Sequence, residues 1–324
     1  MNGTATPPDA DEVLQVLFSQ LRVLFQTFND PTDDFPPPED VFIVSSFASG
    51  SNLVQHMCYQ LLVAAKRVPT DPNGESYIDT TAVVPVLEVR NLLNLKEPHH
   101  RSKPQMWKTH VAVTPFLPYL NDNRKMIFCI RNPLDVCRSF LDFIIEWLSG
   151  LTVRDPEVRK AIYPRFFWDY FMSFPPLPDG STPNLGLWFR HVKGWTEHDK
   201  GNTLYLIYED VIKDFPKTIR TIAKFLCVPV TDAIMKQVLL MCDRDRMARN
   251  PRTRARLLSA ALGLDPEKAT RTRLLNGPSF KDIELPKACK DACWEKFYEA
   301  TGCTTYEQLV DELRIRNKKL FAYL

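Results

Sequence analysis

The chain has 324 residues, with 41 Lys and Arg against 39 Asp and Glu, so its net charge is +2. This balance gives no electrostatic reason to expect nucleic-acid or membrane partners. Apolar residues make up 44% and charged residues 25%, as in ordinary soluble globular proteins. The N-terminal MNGTATPPDADE is polar and acidic, and no run of about 18 apolar residues follows. We therefore expect a soluble, cytoplasmic protein without a secretory leader or a membrane span.

The first elements are an amphipathic helix and a proline-rich linker. Residues 12–28 repeat apolar side chains at helical spacing, on a face that includes Val13, Leu17 and Leu21. Pro31 and the three prolines at 36–38 end the helix and lead, extended, into the next element. We expect residues 1–39 to form this helix and linker, and residues 40–324 to form a single domain.

Residues 41–63 predict a buried strand, a tight turn and a helix. The apolar run at 41–44 is followed by a small, polar stretch, and helical periodicity begins at Leu53. A helix that starts directly after a buried strand points its unpaired N–H groups at the turn, which favours a phosphate or sulfate. The residues available there are Ser49, Gly50, Ser51 and Asn52. The alternative is a serine-rich connection that only caps the helix, because no G-x-x-x-x-G-K-[ST] motif is present.

Further along the chain, strands and helices alternate. We predict a helix near 84–95, strands at 106–113 and 126–130, helices at 133–149 and 185–198, a strand at 203–208, and a long aromatic loop at 150–185. This order indicates an α/β fold with a central parallel sheet flanked by helices. Parallel strands end at one edge, so residues 45–52, His110, Arg131 and Tyr208 should meet in one crevice.

The positions of the cysteines and histidines do not predict a metal site. Four of the eight cysteines fall within predicted strands or helices: Cys58, Cys129, Cys137 and Cys227. A small apolar side chain fits such positions, so we expect reduced, buried thiols rather than a disulfide framework. Cys289 and Cys293 are one helical turn apart but lack the partners of a zinc site, and His99 and His100 are interpreted as solvated loop residues.

Four ordered motifs resemble those of the cytosolic sulfotransferases. The family's S-Y-P-K-S-G-T-T-W-L-Q corresponds to SSFASGSNLVQ at 45–55, and its K-T-H to residues 108–110. Its R-N-P-x-D-V-x-x-S is matched in full at 131–139. Its W-x-x-H-V-x-G-W, followed by a strand and Y-E-D, is found at 188–195 and 208–210. The resemblance, which covers about 40–303, implies a P-loop-like three-layer fold and transfer of a sulfuryl group from 3′-phosphoadenosine 5′-phosphosulfate to a hydroxyl or amine, without a metal.

The resemblance gives each matched residue a role. His110 would be the general base, and Lys108 would stabilise charge on the leaving oxygen. Arg131 and Ser139 would bind the 3′-phosphate, and Tyr208 would contact adenine. The structural alternatives are a packed histidine, a solvated edge-strand lysine, a strand-end salt bridge from Arg131 to the nearby Asp135, and a buried tyrosine. His191 and Trp195 are predicted to pack their helix onto the body.

The turn departs from the family pattern. The loop lysine that holds the 5′-phosphosulfate is Ala48, the adenine-stacking tryptophan is Leu53, and the second threonine is Asn52. The family's R-K-G-x-x-G-D-W-K becomes residues 272–280, which keep one basic residue, Arg273. Arg273 is the predicted nucleotide ligand in this segment. Other substitutes for the lost lysine are Arg271 and the arginine run at 244–256.

Three functions remain open from the sequence. The first is an active sulfotransferase for a small apolar acceptor, whose pocket would be lined by aromatic residues of the 150–185 loop. The second is a sulfotransferase-like binding protein that keeps the nucleotide or small-molecule pocket without the chemistry. The third is polyanion binding by the arginine run at 244–256. A homodimer also stays open, although the family's dimer-forming K-x-x-x-T-V-x-x-x-E has no match between residues 281 and 296.

Overall fold

Four short strands form the centre of the molecule. The structure is a computed structural model that describes residues 9–27, 35–68, 83–89, 102–120, 124–145, 153, 155–173, 188–249 and 280–323. The strands are β1 (Val41–Ser45), β2 (Met106–Thr109), β3 (Met126–Ile130) and β4 (Thr203–Ile207). Their order is β2-β1-β3-β4, and every neighbouring pair is parallel. The predicted parallel sheet is therefore confirmed.

Both faces of this sheet are buried. Alternate residues of each strand point to opposite faces, so Phe42 and Phe128 belong to one hydrophobic core and Ile43 and Ile127 to another. Each strand is buried along its whole length. This arrangement explains why the strands appear in the sequence as continuous apolar runs rather than as alternating ones.

Helices cover the two faces. The helices described are α1 (Ala10–Thr27), α2 (Ser51–Ala64), α3 (Pro133–Phe143), α4 (Pro156–Phe166), α5 (Trp188–Glu197), α6 (Tyr208–Lys213), α7 (Phe215–Phe225), α8 (Asp232–Met241), α9 (Arg244–Arg249), α10 (Lys287–Thr301) and α11 (Tyr306–Tyr323). Helices α2, α7 and α8 pack on one face, and α1, α3, α4, α5 and α10 contribute to the core of the other. The result is a three-layer α/β fold, as the sequence predicts. No helix in the described residues is both long and apolar enough to cross a bilayer.

The N-terminal helix and the prolines after it are fixed to the body. The predicted face of α1 is buried at Val13, Leu17 and Leu21. In the linker, the carbonyl oxygens of residues 36 and 37 both accept from the guanidinium of Arg124, which is 2% exposed. The indole of Trp107 on β2 donates to Asp40 over 2.8 Å. The entry into β1 is therefore set by side chains from two other parts of the sheet.

The described part of the segment at 150–185 is helical rather than a loop. It contains α4 and a π-helical turn, Phe167–Met172, rather than a continuous loop. Asp155 caps α4 through a 2.8 Å bond from the N–H of Glu157, and Pro156 occupies the first turn. Of the six aromatic residues expected to line the acceptor pocket, four are buried in the hydrophobic core, Phe166, Phe167, Tyr170 and Phe171, whereas Trp168 is exposed. Phe174, counted with them from the sequence, lies outside the described residues.

Several smaller predictions need correction. β2 ends at Thr109 rather than 113, because a 3₁₀-helix follows at Thr114–Tyr119. The predicted helix at 84–95 is a single 3₁₀ turn, Leu87–Val89, in its described part. All eight cysteines are free, and seven of them are buried, but Cys227 is exposed in a turn with φ 54°. His99 and His100 lie outside the described residues.

Candidate functional site

The turn between β1 and α2 has the backbone of an anion-binding loop. Ala48 has φ 57° and Gly50 has φ 88°, so two left-handed residues bend the chain directly from strand to helix. Gly50 caps α2, and its carbonyl accepts from the N–H groups of Leu53 and Val54. The N–H groups of residues 51 and 52 have no intrahelical acceptor, and the positive end of the helix dipole lies beside them.

The hydroxyls of this turn serve different purposes. The hydroxyl of Ser49 lies 2.7 Å from that of Ser46, and Ser49 is 1% exposed, so its side chain stabilises the turn from inside. Ser51 is buried at the first turn of α2, whereas Asn52 is exposed. The groups of the turn that could bind an anion are therefore chiefly backbone N–H groups, which do not depend on side-chain identity.

Arg131 and Tyr208 join the turn from two other strands. The guanidinium of Arg131 lies 4.4 Å above the ring of Tyr208 and donates to the carbonyl of Ala48 over 3.2 Å. The same ring lies against Gly50, where a Cβ would be 2.3 Å from its Cδ2. The buried Nε of Arg131 has no hydrogen-bond partner in the described part of the chain. Because Asp135 pairs with Arg138, the alternative of an Arg131–Asp135 salt bridge is wrong.

Lys108 and His110 occupy the end of β2. β2 is an edge strand, yet Lys108 is 5% exposed and its ammonium donates to the side-chain oxygen of Asn52. Nδ1 of His110 lies 2.9 Å from the carbonyl oxygen of Ser45, which can only accept, so Nδ1 carries the proton. Nε2 of the neutral ring is then the basic nitrogen. The ring of Phe47 stacks on the imidazole at 4.4 Å.

Two tryptophans of α5 fix the strand ends that carry these groups. Trp188 donates to the carbonyl of Arg131 over 2.8 Å, and Trp195 donates to that of Val111 over 3.3 Å. His191, between them, is fully buried, and burial lowers its pKa to about 3, so it packs as a neutral ring. The predicted packing role of His191 and Trp195 agrees with this burial.

The structure describes only some of the remaining predicted residues. Ser139 lies two turns into α3, a helix that begins next to Arg131, and is partly buried. Arg273 and Arg271 lie outside the described residues. Of the arginine run, residues 244–249 form α9, and residues 252, 254 and 256 lie outside the described residues. The structure thus brings together residues 45–52, His110, Arg131 and Tyr208, as their positions after parallel strands predict, and Lys108 of β2 joins them through Asn52.

Glu88 was not among the residues predicted for the site. This carboxylate is 1% exposed and accepts from the backbone N–H of His110 over 2.8 Å. Its pKa is raised to about 7, because burial disfavours the charged form. The signal available in the sequence was the single acidic residue within the apolar stretch VVPVLEV at 83–89.

Known proteins similar to this chain are sulfotransferases. A family model described as a sulfotransferase domain matches residues 38–275. Sulfotransferase 4A1 of Mus musculus is 29% identical over 217 residues, which cover 65% of this chain and 68% of that protein. Amine sulfotransferase of Oryctolagus cuniculus is 29% identical over 212 residues, 63% of each chain. The structure of mouse sulfotransferase SULT7A1 complexed with PAP has a TM-score of 0.57 at 20% identity, covering 92% of this chain and 95% of that one.

The fold defines a P-loop-like α/β protein in which a strand-to-helix turn lies at the carboxyl end of a parallel sheet. The family match extends over most of the chain, which is enough to assign the family itself. The chain belongs to the sulfotransferase family.

Proposed function

We propose that this protein transfers a sulfuryl group from 3′-phosphoadenosine 5′-phosphosulfate to a hydroxyl or amine of a small apolar acceptor. The observation that carries the proposal is the bond from Nδ1 of His110 to the Ser45 carbonyl, beside the start of α2. This bond leaves Nε2 unprotonated at the edge of an anion-binding turn. A neutral imidazole in that position is suited to removing the acceptor proton at neutral pH.

The residues of the crevice fit a phosphorylated nucleotide. The buried Nε of Arg131 is without a partner among the described residues, and the backbone N–H groups of residues 51 and 52 are unpaired within α2. A guanidinium and a helix N-terminus are both common binding groups for phosphate. We assign Arg131 and Ser139 to the 3′-phosphate, the turn at 49–52 to the 5′ end, and Tyr208 to the adenine. Arg273 is a further proposed ligand.

The mechanism follows from the proton and charge positions. When bound, the donor supplies an activated sulfuryl group whose leaving oxygen belongs to a phosphate. Nε2 of His110 accepts the proton of the attacking acceptor as the new oxygen–sulfur or nitrogen–sulfur bond forms. Lys108 stabilises the negative charge that collects on the leaving oxygen as the old bond breaks.

We further propose that Lys108 supplies the charge that Ala48 cannot. The ammonium of Lys108 reaches the side chain of Asn52, in the first turn of α2. The family carries a threonine at position 52, whereas here the amide oxygen of Asn52 ties the ammonium to the first turn of α2. Lys108 alone would then supply the positive charge that the family provides with two lysines, one in the turn and one in K-T-H.

A second candidate is a binding protein that keeps the pocket without turnover. Ala48 and Leu53 favour this function, since one stabilising charge contributes about 2.7–4 kcal/mol at a transition state. Loss of a base-stacking aromatic costs roughly 1–3 kcal/mol of binding.

The test is turnover of radiolabelled donor over a panel of phenols, steroids and amines, with calorimetric titration of adenosine 3′,5′-bisphosphate on the same preparation. Sulfated product with at least one acceptor supports the enzyme. Nucleotide binding without product on any acceptor supports the binding protein, and neither binding nor product contradicts both.

A further inference from the structure

The segment at 83–89 is attached to the outer edge of β2. Its residue 85 accepts from the backbone N–H of Lys108 over 2.8 Å, and residue 86 forms a parallel bridge with Lys108. The side chain of Gln55 on α2 donates to the carbonyl of residue 84 over 2.7 Å, and that of Gln105 to residue 83 over 3.0 Å. Main-chain and amide bonds therefore place Glu88 beside the end of β2 independently of its own carboxylate.

The carboxylate of Glu88 gathers the residues that leave β2. Its Oε1 accepts from the N–H of His110 over 2.8 Å, and it is hydrogen-bonded to the side chain of Thr109. The hydroxyl oxygen of Thr109 already accepts from the N–H of Val111 over 3.1 Å, so its own proton goes to Glu88. Glu88 thus binds residues 109 and 110 directly, and the Thr109 hydroxyl extends this contact to Val111, at the point where His110 is presented.

A carboxylate in this position is costly to keep. Glu88 is 1% exposed, and its Oε2 has no hydrogen-bond partner in the described part of the chain. Burial raises the pKa of Glu88, while the bond from His110 and the charge of Lys108 oppose that rise. A group that served packing alone would be better replaced by an apolar side chain of the same size.

We propose that Glu88 is a positioning residue for His110, holding the backbone of the base while the Ser45 carbonyl holds its ring. The inference rests on the proposed role of His110 as general base. With both its backbone and Nδ1 fixed, the imidazole keeps Nε2 directed to one point. Misplacement by about 1 Å costs roughly a hundredfold in rate, so the loss of this carboxylate should be visible in turnover.

The test compares Glu88→Ala, Glu88→Gln and Glu88→Asp with Glu157→Gln, which removes an exposed carboxylate that pairs with Lys160. We expect Glu88→Ala to lower kcat roughly 10- to 100-fold while KM and the affinity for adenosine 3′,5′-bisphosphate change less than about threefold. Glu88→Gln keeps an acceptor oxygen and should recover most of kcat. Glu157→Gln should behave as the wild-type protein.

A spectroscopic measurement separates this inference from the proposed function. The backbone amide proton of His110 should shift upfield in Glu88→Ala, because it loses its acceptor, and should stay close to the wild-type position in Glu88→Gln. If Glu88→Ala does not fold, Glu88→Asp withdraws the acceptor by one methylene and should show the same shift and a smaller loss of kcat.

An unmoved amide resonance together with wild-type kcat in these variants would overturn the inference. Absence of turnover in the wild-type protein would instead overturn the proposed function, and the amide resonance would still decide whether Glu88 holds His110.

Discussion

The end of β2 and the turn before α2 form two sides of one crevice but are held in different ways. At the end of β2, Asn52 holds the side chain of Lys108, the Ser45 carbonyl holds the ring of His110, and Glu88 holds the backbone of His110. In the turn, the shape comes from left-handed backbone at 48 and 50 and from the bond between Arg131 and the Ala48 carbonyl.

This difference explains how the turn tolerates its departures from the family pattern. Backbone N–H groups and the helix dipole do not depend on the identity of residue 48, so alanine removes a charge without removing the cradle. The end of β2 has no such backbone alternative, because the function proposed for it depends on two particular side chains, Lys108 and His110. Substitutions at the end of β2 should therefore abolish chemistry, whereas substitutions in the turn should tune affinity.

His110→Ala should have the largest effect, because it removes the proposed base. We expect turnover of radiolabelled donor to fall roughly 100- to 10,000-fold, with adenosine 3′,5′-bisphosphate affinity and the far-ultraviolet dichroism unchanged. His198→Ala is the matched control, since His198 is partly buried just after α5 and, among the described residues, its ring bonds to the carbonyl of Gly194 one turn earlier. Undiminished turnover in His110→Ala would discard the assigned base.

Ala48→Lys restores the missing charge and, unlike His110→Ala, should improve the protein's function. The donor affinity or kcat should rise, by up to about 100-fold, because one charge-stabilising group returns to the turn. Ala48→Met has a similar length without the charge and bears the same left-handed backbone, so it should give no gain. If Ala48→Lys lowered both quantities, the turn would not present residue 48 as the family's loop does.

Gly50→Ala should disturb the turn through Tyr208. A Cβ at residue 50 would lie 2.3 Å from the tyrosine ring, so the ring must move away from its place beneath Arg131. We expect nucleotide affinity to fall about tenfold, corresponding to part of a stacking contribution of roughly 1–3 kcal/mol. Calorimetry measures the affinity, and urea denaturation measures the accompanying loss of stability.

Gly201→Ala is the control for this substitution. Gly201 has φ 83°, close to the 88° of Gly50, but its Cβ would meet nothing within 4 Å. Both variants bear the cost of a left-handed alanine, about 1–2 kcal/mol, and only Gly50→Ala should weaken nucleotide binding. Equal nucleotide affinities in the two variants would show that Tyr208 does not transmit the effect of Gly50→Ala.

Glu88 should also make stability depend on pH. Its folded pKa is about 7, above the ordinary 4.5, so the folded state binds the extra proton and stability falls as pH rises from about 4.5 to 7. Glu88→Gln removes this contribution to the pH dependence of stability. Unfolding free energies from urea denaturation at several pH values between 5 and 6.5 should therefore rise with pH more steeply in the variant, by about 1.4 kcal/mol per pH unit. Parallel curves would show that Glu88 does not titrate in this range.

Much of the fold and of the crevice could be predicted, because both follow from local pattern. The apolar runs at 41–44 and 126–130 lie in β1 and β3, and the ends of parallel strands necessarily share an edge. Glu88 could not be found in this way, since its bond to His110 depends on how the 83–89 segment docks along β2. In the 150–185 segment, aromatic density predicted a loop, but the cap at Asp155 and Pro156 starts a helix.

The most direct test of the shared crevice is calorimetric titration of adenosine 3′,5′-bisphosphate into the wild-type protein, Arg131→Ala and Arg138→Ala. Arg138 lies on α3, which begins just after Arg131, but it pairs with Asp135, so it is the matched control. A charge-assisted hydrogen bond contributes about 1.5–3 kcal/mol, so we predict micromolar binding that Arg131→Ala weakens roughly 10- to 150-fold and Arg138→Ala leaves unchanged. No binding at millimolar nucleotide, or equal affinities in all three proteins, would contradict the account.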